Sequence, residues 1–250
     1  MTTDHFSSRA PGYCQLRPTY PAELFAFLAE QCQGKELAWD TGCGSGQATT
    51  ALANFFQLVM GTDISQAQID QAPRHERVRY QVSQAGKVDL PGESCDLVTA
   101  AQAIHWFNQE AFFQEAERVL KPCGVLAFWT YSLARVAPEV DRVIDWFYRE
   151  IVGPYWPPER IQVEENYSSI PFPYKEGQSP PLTMVHLWDR AHFSGYLETW
   201  SASILYAKGK GQSPLSELNP VLQKAWPDPN EKRKVTWQLH LRWGKKDTVP

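Results

Sequence analysis

The sequence predicts an α/β fold, a doubly wound and mostly parallel sheet with helices on both faces. Three observations carry that reading. Short apolar runs alternate with helical stretches from the start of the chain to about residue 130. The first of these runs, near Glu36–Asp40, ends in an acid and leads into Thr41-Gly42-Cys43-Gly44-Ser45-Gly46, a glycine turn that opens a helix. The second run closes on Asp63, one strand-helix-strand unit further on. Parallel strands joined through helices wind right-handed, and their ligands sit beyond the carboxyl ends of the strands where the strand order reverses.

Taken in order, residues 1–20 form an irregular arm carrying Tyr13, Arg17 and Tyr20. Pro21 suits the first turn of a helix whose apolar face is Leu24, Phe25, Phe27 and Leu28. After strand 1 and the glycine turn, a helix is predicted over 46–56, strand 2 over Leu58–Asp63, a short helix from Ser65, and strand 3 over Val78–Val82. Pro91-Gly92 marks a turn before strand 4, Cys95–Ala100. Asn108 can cap a helix over Ala111–Leu120, which Pro122 and Gly124 end before strand 5, Val125–Trp129. The rhythm then changes. A helix is expected over Val140–Val152, followed by a stretch rich in proline and aromatics, so 135–185 reads as a cap or lid inserted after strand 5. A strand at Met184–Trp188, helices at Phe193–Trp200 and Pro214–Trp226, and the alternating strand Lys234–Trp243 complete a single domain, with the two late strands as an antiparallel pair.

Composition narrows the function. The 250 residues are 43% hydrophobic and 21% charged, with a net charge of −4, and the basic runs are confined to Lys232-Arg233-Lys234 and Lys245-Lys246. A nucleic-acid partner is disfavoured. Five scattered cysteines without a C-x-x-C pair read as reduced thiols, not as a disulfide frame or zinc site, and favour a cytoplasmic protein. No signal-peptide core or membrane-length apolar run is present, and no cluster has metal-ligand spacing, so neither a membrane nor a metal is expected.

The glycine turn discriminates among ligands. A dinucleotide fingerprint needs a glycine where Gln47 stands, and no Gly-Lys-Ser/Thr follows to make a phosphate loop. An acid before the glycines suits a cationic ligand. Asp63 at the end of strand 2 can accept both hydroxyls of a ribose, with Ile64 on the adenine face.

These pieces, Asp40–Gly46, Gly61-Thr62-Asp63-Ile64-Ser65, Asp89 through Val98, and Leu120-Lys121-Pro122-x-Gly124, occur in order, and together they resemble the class I S-adenosylmethionine (SAM) methyltransferases. Tyr13-x-x-x-Arg17-Pro18-x-Tyr20-Pro21, Ala101-Gln102-Ala103-Ile104-His105-Trp106-Phe107 and Tyr196-Leu197-x-Thr199-Trp200-Ser201 resemble the trans-aconitate methyltransferase-like group, which includes plant embryo-abundant proteins. The resemblance implies a Rossmann-like, seven-stranded sheet with an antiparallel last strand. It implies SAM as cofactor, held by Tyr20, Asp40, Gly42, Cys43, Gly44, Gly46, Asp63, Ile64, Gln84, Ala85, Ala101 and Gln102. One departure stands out. Ser83-Gln84-Ala85-Gly86-Lys87 lacks the acid that often bonds the adenine amino group, leaving Gln84 or a main-chain carbonyl for that bond.

Methyl transfer to a carboxylate needs no general base, because the acceptor is already ionised. It needs orientation and exclusion of water. The expected acceptor is therefore a small molecule with a carboxylic acid, oriented by His105, Arg17 and Trp106, with Tyr13 and Trp200 lining its pocket. The alternatives are a non-catalytic SAM-binding protein of the same fold and a methyltransferase acting on nucleic acid or protein. The Asn/Asp-Pro-Pro-Tyr/Phe mark of base methylation is replaced by Ala100-Ala101-Gln102-Ala103. A monomer or homodimer is expected.

Overall fold

The computed structural model describes residues 16–247. Seven strands form one sheet in the order β3-β2-β1-β4-β5-β7-β6. They are β1 (Leu37–Thr41), β2 (Leu58–Asp63), β3 (Val78–Val82), β4 (Cys95–Ala101), β5 (Leu120–Tyr131), β6 (Leu182–Trp188) and β7 (Arg233–Lys245). The first five pair in parallel, and β7 runs antiparallel to both β5 and β6. The predicted sheet and its antiparallel last strand are borne out. The order reverses between β1 and β4, which puts the mouth of a ligand site above their carboxyl ends.

The nine α-helices among the described residues are α1 (Ala22–Gln31), α2 (Gln47–Leu52), α3 (Gln66–Ile69), α4 (Gln109–Val119), α5 (Pro138–Trp146), α6 (Arg160–Glu164), α7 (Arg190–Glu198), α8 (Ser201–Lys210) and α9 (Leu215–Ala225). Two apolar cores lie on the two faces of the sheet. One joins α1, α2, α5, α7 and α9 to Leu97, Val125, Ala127, Trp129 and Trp237. The other joins Phe112, Ala116 and Val119 of α4 to Trp39, Val98, Leu126 and Phe128. Central strands buried on both faces have no polar alternation to show; residues 95–100 of β4 are buried throughout.

Several boundaries differ from the sequence reading for physical reasons. Helix α2 stops at Leu52, short of the predicted 56, and its last turns loosen before β2. The Asn108 cap is present, its Oδ1 accepting from Ala111 N at 3.2 Å. Strand β5 starts at Leu120, not Val125, and absorbs Pro122 and Gly124 in a bulge. Cys95 pairs with Leu120 and Leu97 with Val125, and Cys123 turns left-handed at φ 61°. The helix expected over 140–152 ends as an α-helix at Trp146 and continues as a wider π-turn to Ile151. The helix expected at 193–200 is α7, which starts at Arg190 and stops at Glu198; Trp200 is extended, and a further helix that the sequence reading lacked, α8, follows it.

The segment read as a cap does more than cover. Residues 182–185 belong to β6, the edge strand beside β7. Val163, Tyr167 and Ile170 are buried in the second core beside Phe128, so 163–177 runs as a strap across the face of β5 and β7 that α4 leaves open. Only its earlier part, around Trp156 and Arg160, reaches the carboxyl rim of the sheet. The high aromatic content of the second half forms a continuous chain of rings. It runs from Trp188 and Trp237 (4.9 Å between centroids) through Tyr196 and Trp200 to Trp156 and Tyr148. Trp237 Nε1 donates to Tyr196 Oη at 3.1 Å, so the chain is also pinned by a polar contact.

Candidate active site

A cavity of about 870 Å³ opens over the carboxyl ends of β1, β2, β4 and β5. That is ample for a nucleoside-sized ligand with a second small molecule beside it. Its floor is the glycine turn. Gly42, Gly44 and Gly46 all have positive φ, at 63°, 55° and 81°. Only Gly44 is bare for the sake of the cavity: a side chain there would meet no protein atom closer than Gln68 Oε1, at 3.6 Å. At Gly46 it would strike the Tyr80 hydroxyl, which is an internal packing constraint.

Asp63 lines the cavity beside this floor. Its Oδ2 accepts from Gly44 N and its Oδ1 from Ser65 N, each at 2.8 Å. The two backbone donors aim the carboxylate along the cavity wall. Ile64, Gln84 and Ala85 continue the same wall. The Gln84 carbonyl is already taken by Lys87 N at 3.1 Å, which bears on the missing adenine acid.

Of the residues singled out from sequence, the structure brings Arg17, Tyr20, Gly42, Cys43, Gly44, Asp63, Ile64, Gln84, Ala85, Ala101, Gln102, His105, Trp106 and Trp200 into the wall of this one cavity. Two do not line it. Asp40 is fully buried beneath the turn, its Oδ2 accepting from Thr49 Oγ1 at 2.6 Å and its Oδ1 from Thr99 Oγ1 at 2.9 Å. Burial pushes its carboxyl up to about 6 against the pull of those two hydroxyls. Gly46 is turned toward Tyr80. Tyr13 lies outside the described residues.

The far end of the cavity is cationic and aromatic. Arg17 donates from Nη1 to Tyr131 Oη at 3.1 Å and from Nη2 to the Thr199 carbonyl at 2.8 Å, with its guanidinium 5.8 Å from the Tyr196 ring centre. Arg160 stacks over Trp156 at 4.5 Å and donates from Nε to Tyr148 Oη at 2.8 Å. Gln102, at the end of β4, is held left-handed at φ 54°, and its Oε1 accepts from Tyr131 N at 3.2 Å. His105 sits in the turn Ile104–Trp106, with Nδ1 2.7 Å from Tyr167 Oη. Burial, and then the Arg160 charge, lower its imidazole to about 3, so it is neutral. Tyr20 and Tyr196 are kept as neutral phenols, chiefly by burial.

Sequence reasoning missed Tyr131, Trp156, Arg160 and Tyr196 as wall residues and Tyr167 behind the wall. Tyr196 lay in a quoted motif without a role, and Tyr131 lies two residues past the end of the predicted strand 5. Arg160 and Tyr167 had no local signal. Among the described residues no group of three or more His, Cys, Asp or Glu side chains could hold a metal ion, and no helix is long and apolar enough to cross a membrane.

The glycine cradle, the aimed carboxylate of Asp63 and the cavity volume fit an adenosine-bearing cofactor, and comparison with known proteins agrees. The profile of a family described as "Methyltransferase domain" matches residues 39–128. A Dictyostelium discoideum protein named as a methyltransferase is 35% identical over 227 residues, 89% of this chain and 86% of its own length. A Saccharomyces cerevisiae protein named as a probable S-adenosylmethionine-dependent methyltransferase is 34% identical over 128 residues, 48% of this chain and 44% of its own. The solved structure of an Anaeromyxobacter dehalogenans protein named as a type II methyltransferase superposes with a TM-score of 0.85 at 45% identity, covering 92% of this chain and 97% of that one.

Proposed function

The chain belongs to the SAM-dependent methyltransferases, and from that premise we propose that it methylates a small anionic acceptor at a carboxylate oxygen. The observation that carries this reading is the charge of the wall. Asp63 is the one carboxylate among the described lining residues, and it lies at the glycine-turn end; Arg17 and Arg160 stand at the other. A cationic amine would find no counter-charge there, whereas a carboxylate would find two guanidiniums suited to it. The motifs of the arm and of residues 101–107 resemble the trans-aconitate methyltransferase-like group, which supports the same acceptor class.

SAM, when bound, supplies a methyl group on a positively charged sulfur that leaves as a neutral thioether when the acceptor attacks. The geometry supports a role for each of the protein's own residues. Asp63 holds the ribose, and the bare Gly44 lets the cofactor lie against main chain. Arg160 and Arg17 orient the acid, with Trp106, Trp156 and Trp200 excluding water around it. The acceptor needs no proton removed, in keeping with a wall whose one histidine among the described lining residues is made a poor base by burial. The protein acts on a free small molecule, as a monomer or homodimer, without nucleic acid.

Two measurements test this. Calorimetry should show binding of S-adenosylhomocysteine and none of NAD. Transfer of labelled methyl from SAM to a panel of small acids, with matched amides and amines, should give base-labile esters with the acids alone. Label appearing on amines but not acids would overturn the acceptor class.

A further inference from the structure

We propose that Tyr167 is a positioning residue that fixes the tautomer of His105, so that His105 turns an N–H, not a lone pair, toward the methyl acceptor. The inference rests on the reading above only in taking the group opposite His105 to be the acceptor. The wiring itself is read from the geometry.

Tyr167 is fully buried behind the cavity wall, and its hydroxyl lies 2.7 Å from His105 Nδ1. A buried phenol must place its proton on an acceptor. Thr130 Oγ1 is near enough to influence the phenol but makes no hydrogen bond of acceptable geometry. Nδ1 is therefore the acceptor for the Tyr167 proton. A neutral imidazole that accepts at Nδ1 carries its own proton on Nε2. The charged group acting on His105 is Arg160, which opposes an imidazolium. His105 lines the cavity with Trp106 tilted against it, 4.6 Å between ring centres.

The strap is built to deliver this hydroxyl. Asn166 and Tyr167 are both left-handed, at φ 54° and 61°, a conformation that a bulky residue adopts only when its surroundings impose it. Arg242 of β7 imposes it. The guanidinium donates to the carbonyls of Tyr167 and Ile170, pairs with both carboxylate oxygens of Glu176 at 2.9 and 2.7 Å, and lies against Phe128 and Phe172. A residue far along the chain thereby reaches through the sheet face to the back of the site.

The chemical consequence is selectivity. An Nε2–H stabilises an acceptor that presents oxygen lone pairs and faces an amine or amide N–H donor to donor. Tyr167 thus biases the site toward oxyanion acceptors without touching them.

The test uses the full chain labelled with ¹⁵N-histidine, and needs no acceptor. His105 is assigned by the signal lost in His105→Gln. The expected wild-type pattern is a fixed Nε2–H tautomer, unchanged between about pH 5.5 and 8, where an ordinary histidine titrates near about 6.5. In Tyr167→Phe, which keeps the ring and removes the hydroxyl, the His105 signals should move to mixed tautomers. A wild-type Nδ1–H tautomer, or an unchanged pattern in Tyr167→Phe, overturns the proposal. Should Tyr167→Phe not fold, the wild-type spectrum still decides, and Arg242→Lys should loosen the same signature. Failure of acids in the transfer assay with the tautomer as expected would refute the acceptor class and leave the role of Tyr167 standing.

Discussion

Asp40 acts on the site from beneath it. The acid ahead of the glycines was legible in sequence, but its burial was not, because nothing local says that Thr49 and Thr99 will close over it. Its placement has a measurable consequence. The unfolded carboxyl titrates near about 3.9, whereas burial holds the folded one at about 6. The native state therefore binds the proton more tightly. The stabilisation from Asp40 is fully present below about pH 4 and is lost as pH rises through about 6, a swing of roughly 3 kcal/mol for a two-unit difference. Asp40→Asn keeps the shape and removes the titration. Urea denaturation of the ligand-free protein across that interval should show a flatter dependence on pH than wild type; an unchanged slope would mean that Asp40 is solvated. Asp96 makes a related point. It belongs to a quoted motif, yet it accepts from the main-chain N–H groups of Glu36 and Leu37 and from Lys121, so it locks the start of β1 away from the cavity.

At the scale of elements, the glycine turn shows why a motif is easier to read than to apportion. The sequence presents three equivalent glycines, but their neighbours come from elsewhere in the chain. Tyr80 of β3 fills the space at Gly46, whereas the space at Gly44 is the cavity. Substitution should separate them. Gly46→Ala forces a Cβ into the Tyr80 hydroxyl at φ 81° and should cost about 2–4 kcal/mol of stability, adding overpacking to the left-handed penalty. Gly44→Ala bears only the left-handed penalty, about 1–2 kcal/mol. It should leave the protein folded but blunt S-adenosylhomocysteine binding, because its methyl points into the cavity. Thermal melts with and without the ligand distinguish the two, and equal melts for both variants would contradict this division. The break between α7 and α8 was hidden for a different reason. Ser201–Lys210 contains two serines and a glycine and has little amphipathic pattern, so its helix depends on tertiary packing. That break is what turns Trp200 into the cavity.

For the molecule as a whole, legibility follows contact range. The glycine-turn end is built from successive strand ends between residues 37 and 85, each within a short unit of the next, so the spacing of Asp63 and the family resemblance together brought its residues out. The cationic end gathers Arg17, Tyr131, Trp156, Arg160, Tyr196 and Trp200 from across the chain, and no periodicity announces such a meeting. The two ends lie apart along the carboxyl rim of the sheet. Asp63 closes β2 and Tyr131 closes β5, three strand spacings apart in the order β2-β1-β4-β5, about 14 Å at about 4.8 Å per spacing. Groups at that separation with no shared partner behave independently. Asp63→Ala should lose about 1.5–3 kcal/mol of S-adenosylhomocysteine binding, the range for hydrogen bonds to a charged group. Arg160→Ala should leave that binding unchanged and raise KM for an acidic acceptor at least tenfold, or about 1.4 kcal/mol, as loss of a guanidinium–carboxylate contact requires. In the double variant the two effects should add within about 0.5 kcal/mol. If Arg160→Ala weakened S-adenosylhomocysteine as strongly as Asp63→Ala does, Arg160 would belong to the cofactor, and the cationic wall would no longer argue for an acidic acceptor.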